Sequence, residues 1–156
     1  MSDTEMFGKS LKEVKKQAMS YLARREHSEF ELCHKLEKKG YELALIEQCI
    51  AFLYEADYLN EGRYVEAMIR HHYGRGQGPK KITYALRQNQ VASTLIQQAF
   101  NAFDGDWYEL AAQVRERKFG DLDTNLDKNA LFKEKSRQMR FLVSRGFDSS
   151  HIEAAF

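Results

Sequence analysis

The chain has 156 residues with 24 Lys+Arg against 23 Asp+Glu, a formal net charge of +1, and one proline. Hydrophobic residues make up 43% and charged ones 30%, which excludes a disordered chain. No run approaches the ~18 apolar residues needed to span a bilayer. The near-zero net charge argues against a nucleic-acid binder only if the charge is evenly spread, and it is not.

Taken in chain order, the apolar residues recur at the spacing of helices. Leu11, Val14, Ala18 and Tyr21/Leu22 fall three and four apart, one face of a 3.6-residue period. Ser28-x-x-Glu31 reads as a capping box opening the next helix, and Gly40 closes it. Ile46, Cys49/Ile50 and Leu53 repeat the stripe, as do Tyr64/Val65 with Met68/Ile69 behind an Asn60 cap. Gly74 ends that helix. Pro79 suits the first position of another, where its missing N–H costs nothing. Leu95/Ile96, Ala99/Phe100 and Phe103 follow a Ser93 cap, and Leu110/Ala111 with Val114 follow Asp106-x-x-Glu109. Gly146 and Asp148 separate the last two helices. The expected helices are 9–26, 28–39, 42–56, 60–73, 79–89, 93–103, 106–118, 130–145 and 149–156. No segment alternates with the period of a strand.

The helices repeat. Shifting by about 50 residues brings Leu36 onto Leu86, Tyr41 onto Val91, Ile46 onto Ile96 and Leu53 onto Phe103. A further shift of about 56 brings them onto Leu142, Phe147, Ile152 and, for Phe100, Phe156. Each copy follows one more amphipathic helix. The expected fold is all-α, a tandem array of three three-helix repeats, elongated or curved. The expected boundaries are 9–59, 60–104 and 105–156, behind an acidic N-terminal tail, 1–8.

Charge is distributed in blocks. Residues 9–40 carry nine Lys/Arg and five acids, and 41–66 carry one Arg and six acids. Residues 67–103 carry five Lys/Arg and no acid at all. That acid-free stretch holds Arg70, His71, His72, Tyr73, Arg75, Lys80, Lys81 and Arg87 around the turn Gly74-Arg75-Gly76-Gln77-Gly78. A basic stretch interleaved with His and Tyr suits phosphates or an acidic protein face.

Motifs for other chemistry are incomplete. The glycine turn lacks the Lys-Ser/Thr of a phosphate-cradling loop and follows no strand. His71 and His72 point about 100° apart on a helix and cannot share a metal. His27 and His34 are expected at the surface. Asp121, Asp123, Asn125 and Asp127 mimic a calcium loop, but Leu126 and Phe132 stand where Gly and Glu are required. Cys33 and Cys49 fit apolar stripes and form no zinc pattern. Trp107 reads as a packing residue. No nucleophile motif is present, so no enzyme, cofactor or metal is expected. With no secretory leader at the N-terminus, a cytoplasmic, monomeric protein is expected.

Four blocks carry a resemblance. They are Leu22-Ala23-Arg24-Arg25-Glu26-His27-Ser28-Glu29-x-Glu31-Leu32 with Leu36 and Lys39-Gly40, then Tyr58-Leu59-Asn60-Glu61-x-Arg63-Tyr64, Gly78-Pro79-x-Lys81-Ile82, and Phe141-Leu142-x-x-Arg145-Gly146-Phe147. In this order and spacing they resemble the RecX family of bacterial recombination regulators, from about Leu11 to Phe156. The resemblance implies three three-helix repeats. It also implies a protein that binds RecA–single-stranded-DNA filaments, lodges in their groove, and impedes filament extension, ATPase and strand exchange in recombination, DNA repair and the SOS response. DNA itself, single- or double-stranded, is an implied secondary partner. The family's usual Glu-Leu and Lys-Gly in the second repeat are here Ala85-Leu86 and Asn89-Gln90. The cations expected to contact filament or DNA are Arg24, Arg25, Arg70, Arg75, Lys80, Lys81, Arg87, Arg140 and Arg145. Against these stand internal roles: Arg24 and Arg25 could pair with Glu26 and Glu29, and Arg140 and Arg145 could cover apolar surface. The alternative function is a helical-repeat nucleic-acid binder acting without RecA.

Overall fold

The computed structural model describes residues 3–156, with side chains from Leu11 onward. Within the acidic segment 1–8, Met1 and Ser2 lie outside the described residues. Nine helices and no strand are found among the described residues: α1 (Asp3–Arg24), α2 (Glu29–Lys38), α3 (Leu43–Glu55), α4 (Glu61–Gly74), α5 (Pro79–Gln88), α6 (Ser93–Ala102), α7 (Trp107–Phe119), α8 (Lys128–Ser144) and α9 (Ser149–Ala154). α1 begins well before residue 9. The apolar stripe marks only the packed part of a helix, and here Val14 and Ala18 are the fully buried positions. Ser93 is the first residue of α6 rather than its cap. Pro79 opens α5 as expected.

The three repeats are visible in the burial pattern and in the way their middle helices close. Leu36, Leu86 and Leu142 are all fully buried, and Ile46, Ile96 and Ile152 are nearly so. α2 ends with Gly40 at φ +89° and α8 with Gly146 at φ +94°, the left-handed geometry that lets the chain turn back. In both, the next amide reaches the carbonyl five residues back: Tyr41 N–H to Leu36 O at 3.4 Å and Phe147 N–H to Leu142 O at 3.3 Å. α5 ends with Gln90 in the same left-handed region, at φ +57°, its N–H reaching Arg87 O at 3.0 Å. A side chain in that region costs about 1–2 kcal/mol, so the second repeat keeps the geometry without the residue that suits it.

By its contacts the chain divides into two compact units, one of residues up to Ala67 with Arg87–Leu95, the other of Met68–Leu86 with Ile96–Phe156. The division runs through the second repeat, which contributes to both.

In the first unit, α1, α2 and α3 enclose Val14, Ala18, Leu32, Leu36, Ile46, Cys49 and Leu53, with Cys33 partly buried against them. Ser28 caps α2, its Oγ accepting from Glu31 N–H at 3.0 Å. The reciprocal half of the capping box is absent: the Glu31 carboxylate turns to Arg25 instead, at 3.0 and 2.6 Å. Glu61, from the start of α4, adds a second cap by accepting from Glu29 N–H at 2.7 Å. A carboxylate from the following repeat thus sits at the positive end of α2. Asn60 caps α4 by accepting from Arg63 N–H at 3.0 Å, and Tyr64 accepts from the Asn89 amide at 2.6 Å.

His27 is buried, contrary to the surface position expected for it; His34 is exposed. The reason is a dedicated set of partners. His27 Nδ1 lies 3.0 Å from Arg25 O and must donate to it, so Nε2 is the acceptor for the Lys35 ammonium 2.8 Å away. Burial, with the nearby Arg25 and Lys35 charges, holds the His27 pKa below its usual value, although the Arg25 carbonyl and Glu31 oppose this. Burial also lowers the pKa of Lys35.

The second unit has a core of Leu110, Ala111, Leu142, Phe147, Ile152 and Ala155. Trp107 packs as expected, with ring centroids 5.1 Å from Tyr73, 5.4 Å from Phe103 and 5.9 Å from Phe100. Asp106 caps α7 by accepting from Tyr108 and Glu109 N–H, and Asp127 caps α8 by accepting from Ala130 N–H at 2.7 Å. Asp123 accepts from Asn125 N–H at 2.9 Å. Two acids of the calcium-like run therefore serve as turn and cap residues.

Candidate functional site

The glycine turn of the acid-free stretch is shaped by packing. A Cβ on Gly76 would come within 2.9 Å of Val114 Cγ2 on α7, and one on Gly78 would strike the backbone of Gly146 and Phe147. The absence of side chains lets the start of α5 lie against the α8–α9 turn. Two backbone bonds fix the contact: Gly78 N–H to Arg145 O at 2.7 Å and Lys80 N–H to Gly146 O at 2.9 Å. The positive end of α5 meets carbonyls at the negative end of α8. Here, as at α2, the start of a middle helix is satisfied by the next repeat.

This contact brings together cations distant in sequence. Lys80 and Lys81 stand on the first turn of α5 against the backbone of Arg145 and Gly146; a Cβ on Gly146 would lie 2.5 Å from Lys81 Cβ. Arg75 lies in the turn just before them, and all but the half-buried Arg145 are exposed. Arg145 rests its guanidinium 5.1 Å from the centre of the Phe141 ring, so its stem does cover apolar surface while the charge stays at the rim. Arg140 is exposed on α8, where it lines a shallow groove with Leu126, Phe132, Lys133 and Arg137.

The expected cations now separate by partner. Arg25 is committed to Glu31, not to Glu26 or Glu29 as the sequence suggested, and also donates to Glu26 O at 3.0 Å. The Glu31 pair raises the Arg25 pKa, and Arg25 in turn lowers that of Glu31 against the opposing effect of burial. Arg63, which was not among the expected contacts, bridges Glu26 and Asp57, each at 3.0 Å. Among the described residues, Arg24, Arg75, Lys80, Lys81, Arg87 and Arg140 make no ion pair. Arg24 and Arg87 belong to the first unit, the other four to the second. Arg70 is exposed on α4 and is not one of the unpaired set.

Sequence reasoning passed over Tyr84. It is 67% exposed on α5, the one large hydrophobic exposed in residues 67–103, and it follows Lys80 and Lys81 by four and three positions. Its signal was available, because Ile82 and Leu86 define the buried face of α5 and Tyr84 lies off it. Nothing in the described residues forms a cluster of three or more His, Cys, Asp or Glu able to hold a metal. No helix among them is long and apolar enough to cross a membrane.

Comparison with known proteins gives a consistent result. Family models match three stretches: the first three-helix domain of RecX at residues 15–53, the second at 60–99 and the third at 104–156. The chain is 37% identical to the regulatory protein RecX of Vibrio campbellii over 141 residues, 90% of this chain and 88% of that one. It is 36% identical to RecX of Halorhodospira halophila over 148 residues, 95% and 89% of the two chains. The crystal structure of RecX from Lactobacillus salivarius superposes with a TM-score of 0.78 at 18% identity, covering 95% of each chain. A second RecX crystal structure gives 0.76 at 18% identity, covering 98% of this chain and 78% of the other.

Proposed function

This chain belongs to the RecX family of regulatory proteins, and from that premise we propose that it is a non-enzymatic regulator that binds RecA filaments on single-stranded DNA. On this reading it mainly inhibits, slowing RecA ATPase, filament extension and strand exchange during recombination, DNA repair and the SOS response. It acts in the cytoplasm, as a monomer, with DNA itself as a weaker partner. The repeats 9–59, 60–104 and 105–156 are its structural modules. The observation that supports this most is the group of exposed cations without internal partners around the α5 start, namely Arg75, Lys80 and Lys81 with Arg145 beside them. A cation that has no carboxylate inside its own protein is available to a phosphate or an acidic protein face. Arg24, Arg70, Arg87 and Arg140 extend the proposed contact set; Arg25 belongs to it only by giving up Glu31.

The experiment is RecA ATPase on single-stranded DNA, titrated with this protein up to one per RecA monomer. The expected result is inhibition that deepens with added protein. No change across that range would overturn the filament reading. Binding to naked DNA as tight as to the filament would favour the alternative, a nucleic-acid binder acting without RecA.

A further inference from the structure

We propose that Tyr84 is a base-stacking residue, and that it makes the α5 surface prefer unpaired over duplex nucleic acid. The inference rests on the cationic-surface reading above and adds to it a residue and a strand preference. Three observations on α5 carry it. Among the described residues the Tyr84 side chain is the most exposed large aromatic after Phe132, at 67% against 73%. It makes no ring contact, cation–π contact or hydrogen bond among the described residues, whereas Phe52 and Tyr58 face each other at 6.3 Å and Phe30 stacks on His34 at 5.9 Å. It stands one helical turn beyond Lys80 and Lys81, on a stretch with no carboxylate.

Charge and ring divide the work. The lysines hold phosphate and are indifferent to base or strand. A ring one turn away reaches about as far as the next nucleotide, and every unpaired base offers it a face. In a duplex those faces are covered by neighbouring bases, so the ring adds nothing there. The other exposed rings are less suited to the role. Tyr54 and Tyr58 lie in the acidic block 41–66, and Phe132, although Lys133, Arg137 and Arg140 line the groove beside it, shares that groove with Glu134, which pairs with Arg137. The start of α5 supplies no anion site of its own, because its Gly78 and Lys80 amides are already bonded to the α8–α9 turn.

The test uses the full chain and fluorescence anisotropy with three labelled probes: a thymidine oligonucleotide, a duplex hairpin, and an abasic strand of the same phosphate count. Tyr84→Ala is expected to weaken binding to the thymidine strand roughly tenfold, within the range alanine substitution shows for base–aromatic stacking, and to leave the other two probes unchanged. Tyr84→Phe is expected to bind as the native chain does, and Tyr84→Leu as the alanine variant. Equal loss on all three probes, no loss on any, or rescue by leucine would overturn the stacking role; rescue by leucine would point to an apolar contact with a protein instead. The two readings fail separately. If the native chain binds DNA in a salt-dependent way and Tyr84→Ala changes nothing, only the stacking inference fails. If the native chain binds none of the probes, both the DNA contact and the stacking fall.

Discussion

The first unit draws two of its arginines into ion pairs across its own fold, while the start of α5 in the second leaves its lysines unpaired. Arg25 and Arg63 are each drawn to carboxylates of their own unit, Glu31 in one case and Glu26 with Asp57 in the other. Lys35 serves a buried histidine. In the second unit the start of α5 meets only backbone carbonyls, so Lys80 and Lys81 keep their charges unmatched. The lesson is that a lysine's availability is decided by what lies across the fold from it, not by how many basic residues its segment holds. Residues 9–40 hold nine Lys/Arg against five in residues 67–103, yet one of their two adjacent arginines is already spent.

The largest expected effect tests the contact that holds the second unit's cations together. Gly40 and Gly146 occupy equivalent turns with similar φ, but a Cβ on Gly40 meets nothing within 4 Å while one on Gly146 meets Lys81. Gly146→Ala is therefore expected to cost about 2–4 kcal/mol, combining a forced backbone with a collision. Gly40→Ala is expected to cost only the backbone part, about 1–2 kcal/mol. Urea denaturation of both variants checks this, and equal losses would break the claim that the α5–α8 contact is tight.

Next comes the contrast between free and committed cations. Lys80→Ala with Lys81→Ala is expected to weaken DNA binding about tenfold at low salt and to lower the salt slope by about two, with thermal stability unchanged. Arg25→Ala is expected to do the reverse: binding unchanged, stability lower by no more than about 1 kcal/mol because the pair is partly open to solvent. Anisotropy across a salt series and thermal unfolding of both variants separate the two. A shared phenotype would erase the distinction between the units.

The smallest effect concerns His27. Its folded pKa is depressed, so the unfolded chain binds its proton first as pH falls. The stability contributed by neutral His27 is complete above the ordinary histidine pKa of about 6.5 and is lost as pH drops below it toward the folded value. Urea midpoints at pH 7.5 and 5.5 are expected to fall more in the native chain than in His27→Gln. The same fall in both would remove His27 from the account.

The fold was legible in the sequence because the repeat leaves large residues at matched places: Leu36, Leu86 and Leu142 needed only to be aligned, and all three are buried. Turn glycines and most caps followed from local chemistry, Ser93 being the exception. What was not legible depends on three-dimensional geometry that spacing along the chain does not give. The spacing of His27 does not predict its burial, because that rests on the Arg25 carbonyl and the Lys35 ammonium both being turned onto its ring. The choice of Arg25 between three nearby carboxylates is likewise geometric, since Glu31 alone presents both oxygens to it. The glycines at 76 and 78 read as part of a basic loop, and their packing against Val114 and Gly146 lies beyond any local pattern. Tyr84 was readable from helical phase, but a ring on the outer face attracts no notice until its neighbours are known to leave it bare.

The two backbone bonds at the start of α5 have a consequence for motion along a strand. A phosphate seated on helix amides is held in a fixed cradle and must break it to leave. Those two amides are occupied by Arg145 and Gly146 carbonyls, so on the proposed reading a phosphate at this surface would meet lysine and arginine tips on long, rotatable stems. Such tips can pass from one phosphate to the next without a bound state being lost in between. On the proposed reading, a surface built this way would grip a polymer while remaining free to slide on it.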